Sequence, residues 1–239
     1  MSAPVFHFKQ FSVRQNDAAM KITTDSVLLG AWIDCSGAES ILDVGAGTGV
    51  IAMMLAQRCQ GRIVAMEPDR KTSREMTFNI LHSPWAERIV PVQASFQQFL
   101  EQNKAGHIPK FDMVVSNPPY FVRDLPSRDP GKASARHAVT LTYEELLEGV
   151  GGILTEQGIL SVIVPYRYES YVISLASDQK LYCNRILEVK PGKKKAFFRV
   201  LMELGRKKEP LKKETLTIHD GEGYSEEYKT LTRDYYLDL

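Results

Sequence analysis

From about residue 40 onward, short apolar runs alternate with stretches of helical spacing. Residues 41–44 read as a strand ending in Gly45-Ala46-Gly47-Thr48-Gly49, and 50–58 as a helix with Ile51, Met54 and Leu55 on one side. Residues 62–66 form a second strand, and Glu67-Pro68-Asp69 turns from it into a helix reaching about Leu81. Further strands are expected at 89–92, 111–116 and 159–164, with helices at 96–102, 141–154 and 166–179. This alternation predicts right-handed βαβ units on a parallel sheet. Two later runs, 182–189 and 196–205, are joined only by 190–195, a link too short for a parallel crossover. The expected fold is therefore α/β: a doubly wound, mostly parallel seven-stranded sheet with a late antiparallel hairpin.

Before residue 40, Phe6, Phe8, Phe11 and Val13 alternate like a short strand, and Thr24 or Asp25 is placed to cap a helix through Leu28, Leu29 and Trp32. We expect 1–38 to be an accessory segment packed on a domain of 39–239, one structural unit with it. Residues 121–138 lack periodicity and hold Arg123, Arg128, Lys132 and Arg136. They suit a lid over a substrate, or simply a solubilising loop.

Composition changes this picture little. Hydrophobic residues at 44% and charged residues at 25% are ordinary for a globular chain, and a net charge of +1 argues against wholesale coating of nucleic acid. The charge is uneven, however: residues 190–213 carry ten Lys or Arg against two Glu. Lys193, Lys194 and Lys195 sit on the predicted hairpin turn, with Arg206, Lys207 and Lys208 beyond it. Such a run is either a solvated face or a phosphate-binding surface. Cys35, Cys59 and Cys183 are scattered and fit reduced thiols in a cytoplasmic protein. No signal peptide, 18-residue apolar run or metal-ligand spacing among the five histidines is evident, so neither membrane nor metal is expected.

Chemistry concentrates at two strand ends. Asn117-Pro118-Pro119-Tyr120 follows the fourth strand. Paired prolines cannot extend a ladder and bias the residues before them away from helix, so the chain leaves the sheet in a stiff extended turn. An amide, a free carbonyl and an aromatic ring then meet at a strand's carboxyl end, where open α/β sheets bind ligands. The set suits a planar substrate bearing an NH2 group; a strand-ending turn with a core tyrosine is the plainer alternative. The other strand end is Asp43-Val44-Gly45-Ala46-Gly47-Thr48-Gly49. Glycines allow the turn and a close ligand approach. The spacing is G-x-G-x-G rather than the dinucleotide G-x-G-x-x-G. Asp43 would repel a pyrophosphate but welcome the amino group or sulfonium of S-adenosylmethionine. Glu67, ending the second strand, is placed to accept the hydroxyls of a ribose. Ser95 follows the third strand, facing the cofactor's adenine or capping the next helix.

With these motifs in this order, the chain resembles class I S-adenosylmethionine-dependent methyltransferases of the branch that methylates exocyclic or amide nitrogens. The likeness sharpens at Phe8-Lys9-Gln10-Phe11, at residues 20–32, at 83–89, and in the tail from Tyr224 to Tyr228 and from Tyr235 to Leu237. These look like the bacterial tRNA1(Val) adenine-N6 methyltransferases, and the resemblance covers nearly the whole chain. It implies S-adenosyl-L-methionine as cofactor, S-adenosylhomocysteine as product, and the adenine beside the anticodon in tRNA as target. It implies Asn117, Pro118 and Tyr120 as catalytic residues. Asp43, Gly45, Ala46, Gly47, Gly49, Glu67, Ser95 and Asn117 would line the cofactor site, and Thr24 and Asp25 would lie near its methionine end. Lys193 to Lys195, Arg206 to Lys208, Arg123 and Arg136 are the candidate RNA contacts. Ser95 departs from the aspartate more usual in that family. A monomer or weak dimer is expected. The rival readings are a protein-glutamine methyltransferase, an NAD-dependent oxidoreductase and a non-catalytic RNA-binding module.

Overall fold

The computed structural model describes residues 5–102, 109–118 and 141–238. Its strands are β1 (Val5–His7), β2 (Ser12–Arg14), β3 (Ser40–Val44), β4 (Arg62–Met66), β5 (Ile89–Val92), β6 (Phe111–Ser116), β7 (Leu154–Pro165), β8 (Tyr182–Gly192), β9 (Arg199–Gly205), β10 (Lys212–Asp220) and β11 (Gly223–Tyr224). The helices are α1 (Thr24–Trp32), α2 (Val50–Ala56), α3 (Arg70–Leu81), α4 (Phe96–Gln102), α5 (Tyr143–Ile153), α6 (Glu169–Asp178) and α7 (Glu226–Thr232).

Nine strands join one sheet in the order β11-β10-β8-β9-β7-β6-β3-β4-β5, while β1 and β2 form a separate antiparallel ribbon. The block β5-β4-β3-β6-β7 is parallel, and β9 inserts antiparallel between β7 and β8. The doubly wound sheet and its late hairpin are thus as expected, but seven strands is an undercount. Beyond β8 the chain adds β10, parallel to β8, and then the short β11. Lysines at the start of β10 hide its period-two pattern, in which only Leu216 and Ile218 are buried.

Alternation along the strands divides the apolar residues between two cores. Ile41 joins the core beneath α1, α2, α3 and α7, and its neighbour Leu42 joins that beneath α4, α5 and α6. The amino-terminal ribbon belongs to the first core. Phe8 stacks on Phe11 at 4.6 Å, and the Lys9 N–H donates to the Tyr235 carbonyl at 2.8 Å, tying the two ends of the chain together.

Helix starts follow local capping chemistry. The cap of α1 is Thr23, not Thr24 or Asp25. Its hydroxyl accepts from the Ser26 N–H at 3.3 Å while Ser26 Oγ accepts from the Thr23 N–H at 3.2 Å. Serine three residues on completes this reciprocal box and sets the helix start one residue earlier. Helix α3 does more than cover the sheet, because its Glu75 is buried (5% exposed). The carboxylate accepts the N–H groups of Asn16, Asp17 and Ala18 at 2.6, 2.9 and 2.7 Å. Thr72 Oγ1 holds the Ala19 N–H at 3.0 Å. The segment leading into α1 is therefore clamped to α3. Glu75→Ala should cost about 1–3 kcal/mol of stability. It should also speed amide exchange at residues 16–18 while leaving β3 protected; unchanged exchange there would show that the segment is held from elsewhere.

Candidate cofactor and substrate site

Register assembles the site. Val44 lies opposite Met66 on one side and Ser116 on the other, so Gly45, Glu67 and Asn117 all leave the sheet at one level. Neighbouring strands are about 4.8 Å apart, which spaces Glu67 and Asn117 roughly 10 Å across the central turn. The level is locked by backbone: the Gly45 and Ala46 N–H groups donate to the Met66 carbonyl at 2.9 and 2.8 Å. Ser116 Oγ donates to the Val44 carbonyl at 2.9 Å.

The turn needs its glycines. Gly45, Gly47 and Gly49 have φ of 74, 57 and 82°, a region that L side chains rarely adopt. A Cβ on Gly45 or Gly47 would meet nothing within 4 Å. Both therefore border open volume, a cavity of about 190 Å³. Gly45, Ala46 and Gly47 form its floor, Glu67, Ser95, Asn117 and Pro118 its polar rim, and Val44, Ile51, Met66, Phe96 and Leu141 its apolar walls. A bare backbone cradle, a carboxylate and an apolar slot fit an adenosine bearing a charged tail. Gly49 lies behind the cradle as the left-handed cap of α2.

The carboxylates divide their work. Glu67 accepts the Gly47 N–H at 3.0 Å and the Asp69 N–H at 2.9 Å, one on each oxygen. Burial raises its pKa, and these two N–H groups oppose the rise. It borders the cavity with its oxygens fixed, each keeping a lone pair for a ligand hydroxyl. Asp43 is different: it is fully buried, and Val44 and Gly45 form the cavity wall in its place. Its Oδ2 accepts the Ala52 N–H at 3.2 Å, capping α2 where Gly49 has no side chain to do so. The other oxygen, Oδ1, has no hydrogen-bond partner among the described residues. Burial pushes its pKa up to about 7, the Ala52 N–H opposing and the Glu67 charge adding.

Ser95 caps α4: its hydroxyl accepts the Gln98 N–H at 3.1 Å, and its own N–H donates to Gln98 Oε1 at 2.9 Å. It also lines the cavity, so capping and ligand contact coexist there. Asn117 lines a second cavity as well, of about 430 Å³, which shares Met20 and Thr23 with the first. Thr24 and Asp25 face this second space rather than the cradle, and Asp25 pairs with Arg199 at 2.7 Å. Pro119, Tyr120, Arg123 and Arg136 lie outside the described residues.

The basic run does not form one surface. Lys193 to Lys195 follow β8 at the sheet's carboxyl edge, the edge that carries Asn117. Arg206 to Lys208 follow β9, which runs the other way, and so sit at the amino edge. Seven antiparallel residues separate the groups by roughly 20 Å. Arg206 is further tied to the Gly151 carbonyl, and Lys193 pairs with Asp220 at 2.6 Å. Sequence inspection merged the groups because it counts charge without strand direction. It also missed Phe198, Arg199, His219 and Tyr224 in the second cavity, residues brought there only by the sheet. Among the described residues, no group of three or more His, Cys, Asp or Glu could hold a metal, and no helix is long and apolar enough to cross a membrane.

Strand order, glycine cradle and strand-end acid define a Rossmann-like methyltransferase fold. A predicted O-methyltransferase from Agrobacterium tumefaciens superposes with a TM-score of 0.69 at 19% identity, covering 88% of this chain and 96% of its own. M. jannaschii TYW2 in complex with AdoMet superposes at 0.56 and 13% identity, covering 84% of each chain. The family model for the methyltransferase small domain matches residues 11–171. The tRNA1(Val) (adenine(37)-N6)-methyltransferase of Bacteroides thetaiotaomicron is 43% identical over the full length of both chains. That of Flavobacterium psychrophilum is 38% identical over 98% of this chain and 100% of its own. The chain belongs to the family of tRNA1(Val) (adenine(37)-N6)-methyltransferases.

Asp43 offers a test of the site's electrostatics. With its pKa at about 7 in the fold and about 3.9 unfolded, the folded state holds more protons between those values. Stability therefore falls as pH rises through that window. Asp43→Asn keeps an acceptor for Ala52 and removes the charge. Its unfolding free energy in urea without ligand should exceed wild type at pH 8, by on the order of 1–4 kcal/mol, and the gap should close toward pH 4. A gap independent of pH would refute the assignment.

Proposed function

We propose that the chain transfers a methyl group from S-adenosylmethionine to the exocyclic N6 of adenine 37, in the anticodon loop of tRNA1(Val). The observation that carries this reading is the place of Asn117, a residue that lines both the glycine-cradled cavity and the larger one beside it. A donor on one side and an acceptor base on the other would meet at that amide. Family membership supplies the identity of the RNA.

Gly45, Ala46 and Gly47 would hold the cofactor's tail against bare backbone, Glu67 its ribose, and Val44, Met66, Phe96 and Leu141 its adenine. The bound cofactor supplies a methyl group already activated by its sulfonium. The protein's task is then largely placement, since an in-line approach of nitrogen to methyl supplies much of the rate. Adenine N6 is a weak nucleophile because its lone pair is conjugated with the ring. Asn117 Oδ1 and the Pro118 carbonyl would accept the two amino hydrogens, free that lone pair and stabilise the positive charge growing on nitrogen. No strong base is required, and the proton leaves to water after transfer. Tyr120 would stack on the base, which must first leave its own stack in the loop.

Two experiments test this reading. With labelled S-adenosylmethionine and tRNA lacking the mark, Asn117→Ala should lower transfer by about 10²–10³-fold while binding S-adenosylhomocysteine within about tenfold of wild type. Transfer that survives the substitution, or label appearing in protein rather than tRNA, would refute it. Lys193, Lys194 and Lys195 changed together to Ala should flatten the salt dependence of tRNA affinity by about one unit for each lost phosphate contact. The same change at Arg206, Lys207 and Lys208, on the far edge, should leave the slope as in wild type; the reverse pattern would move the RNA to the amino edge.

A further inference from the structure

The β10–β11 hairpin lies beyond the strands β3, β4 and β6 that deliver the cradle, Glu67 and Asn117. It carries an aromatic stack that ends in the second cavity. His219 and Tyr224 are cross-strand partners, their rings 4.9 Å apart and 23° from parallel. Tyr224 stacks in turn on Tyr228 of α7, at 4.9 Å and 24°. Tyr228 is 1% exposed and Tyr224 41%, and His219 is exposed as well, so the stack climbs from the core to the surface. His219 and Tyr224 both line the cavity that Asn117 borders.

An exposed cross-strand ring pair is ordinarily a modest stabiliser of its hairpin. Three features here point to a ligand instead. First, register puts His219 beside Gly192, at the same carboxyl edge of the sheet as Asn117. Second, Asp220, next to His219, holds Lys193 at 2.6 Å, so the turn of lysines 193–195 is fastened to this hairpin. A flat ring surface and a source of positive charge therefore stand together, the pairing that single-stranded nucleic acid requires. Third, the outermost ring, His219, has Tyr224 as its single ring neighbour among the described residues, which leaves room for one more ring.

We propose that His219 and Tyr224 form a stacking platform for a nucleobase adjacent to the target adenine in the substrate RNA. This rests on the reading of the chain as an RNA methyltransferase. The base on the platform is a neighbour of the target because of distance. Four inter-strand steps separate β10 from β6, which delivers Asn117, or roughly 15–20 Å along the edge. One base cannot touch both His219 and Asn117, whereas two nucleotides of a splayed loop can. The platform thereby reads the opened shape of the loop: an RNA whose target is unstacked but whose neighbour stays paired would lose this contact.

The test uses the full chain, an anticodon stem-loop RNA, and the same RNA made abasic at the target or at either neighbour. By fluorescence anisotropy, His219→Ala and Tyr224→Ala should each weaken RNA binding roughly five- to hundredfold, with S-adenosylhomocysteine affinity unchanged. His219→Phe should restore most of the loss, because it keeps the ring and discards the imidazole nitrogens. The His219→Ala effect should vanish on RNA abasic at one neighbour and persist on RNA abasic at the target. Wild-type affinity in His219→Ala, no rescue by Phe, or an effect that vanishes only with the target base would overturn the platform. Methylation of intact tRNA by the wild type is scored separately. RNA that binds through the platform without being methylated would sink the proposed reaction alone. RNA that is methylated equally well by His219→Ala, at limiting concentration, would sink the platform alone.

Discussion

Everything at the site depends on one rung of the parallel ladder. Val44 sits between Met66 and Ser116, and the bonds from Gly45 and Ala46 to the Met66 carbonyl and from Ser116 to the Val44 carbonyl fix that rung. A slip of one residue would turn each strand's side chains to the opposite face. It would also carry Glu67 or Asn117 off the level of the glycine cradle. The apolar runs of β3, β4 and β6 that pack both cores are therefore what align the candidate chemistry. Function here is a by-product of register.

Around that rung, charge is used for construction as much as for binding. Asp43 caps α2 from beneath, Glu75 clamps the amino-terminal segment onto α3, and Asp25 pairs with Arg199 beside the second cavity. Glu67 orders two backbone N–H groups while facing the first. The Met20–Thr23 segment that Glu75 helps to anchor forms a wall of both cavities. The amino-terminal segment thus helps to shape both cavities.

Much of this was legible beforehand, and the reasons differ by element. Strands β3 to β7 and their helices follow from periodicity, because buried parallel strands are apolar throughout and their helices amphipathic. The cradle follows from Gly45, Gly47 and Gly49, where backbone conformation demands the residue type. The cap of α1 was misplaced by a residue, since Thr23, Thr24 and Asp25 are all good caps and only Ser26 decides among them. Asp43 reads in sequence as a ligand to a cation, but its depth in the sheet makes it a helix cap. Lysines at the start of β10 hid that strand, and the opposed directions of β8 and β9 split a basic run that looked continuous. Tyr224 stands out in sequence only within the family-like tail and His219 not at all, because the sheet alone brings the two rings to the cavity.

The central claim is that one sheet edge sets a methyl donor and an adenine amino group on either side of Asn117. Mapping the product tests it most directly. Unmodified tRNA is treated with the protein and methyl-deuterated S-adenosylmethionine, cut with a base-specific ribonuclease, and the labelled fragment sequenced by mass spectrometry. The account predicts a single deuterated N6-methyladenosine, at position 37 of tRNA1(Val). Label on a ring nitrogen, on a ribose hydroxyl or on a base outside the anticodon loop would contradict it.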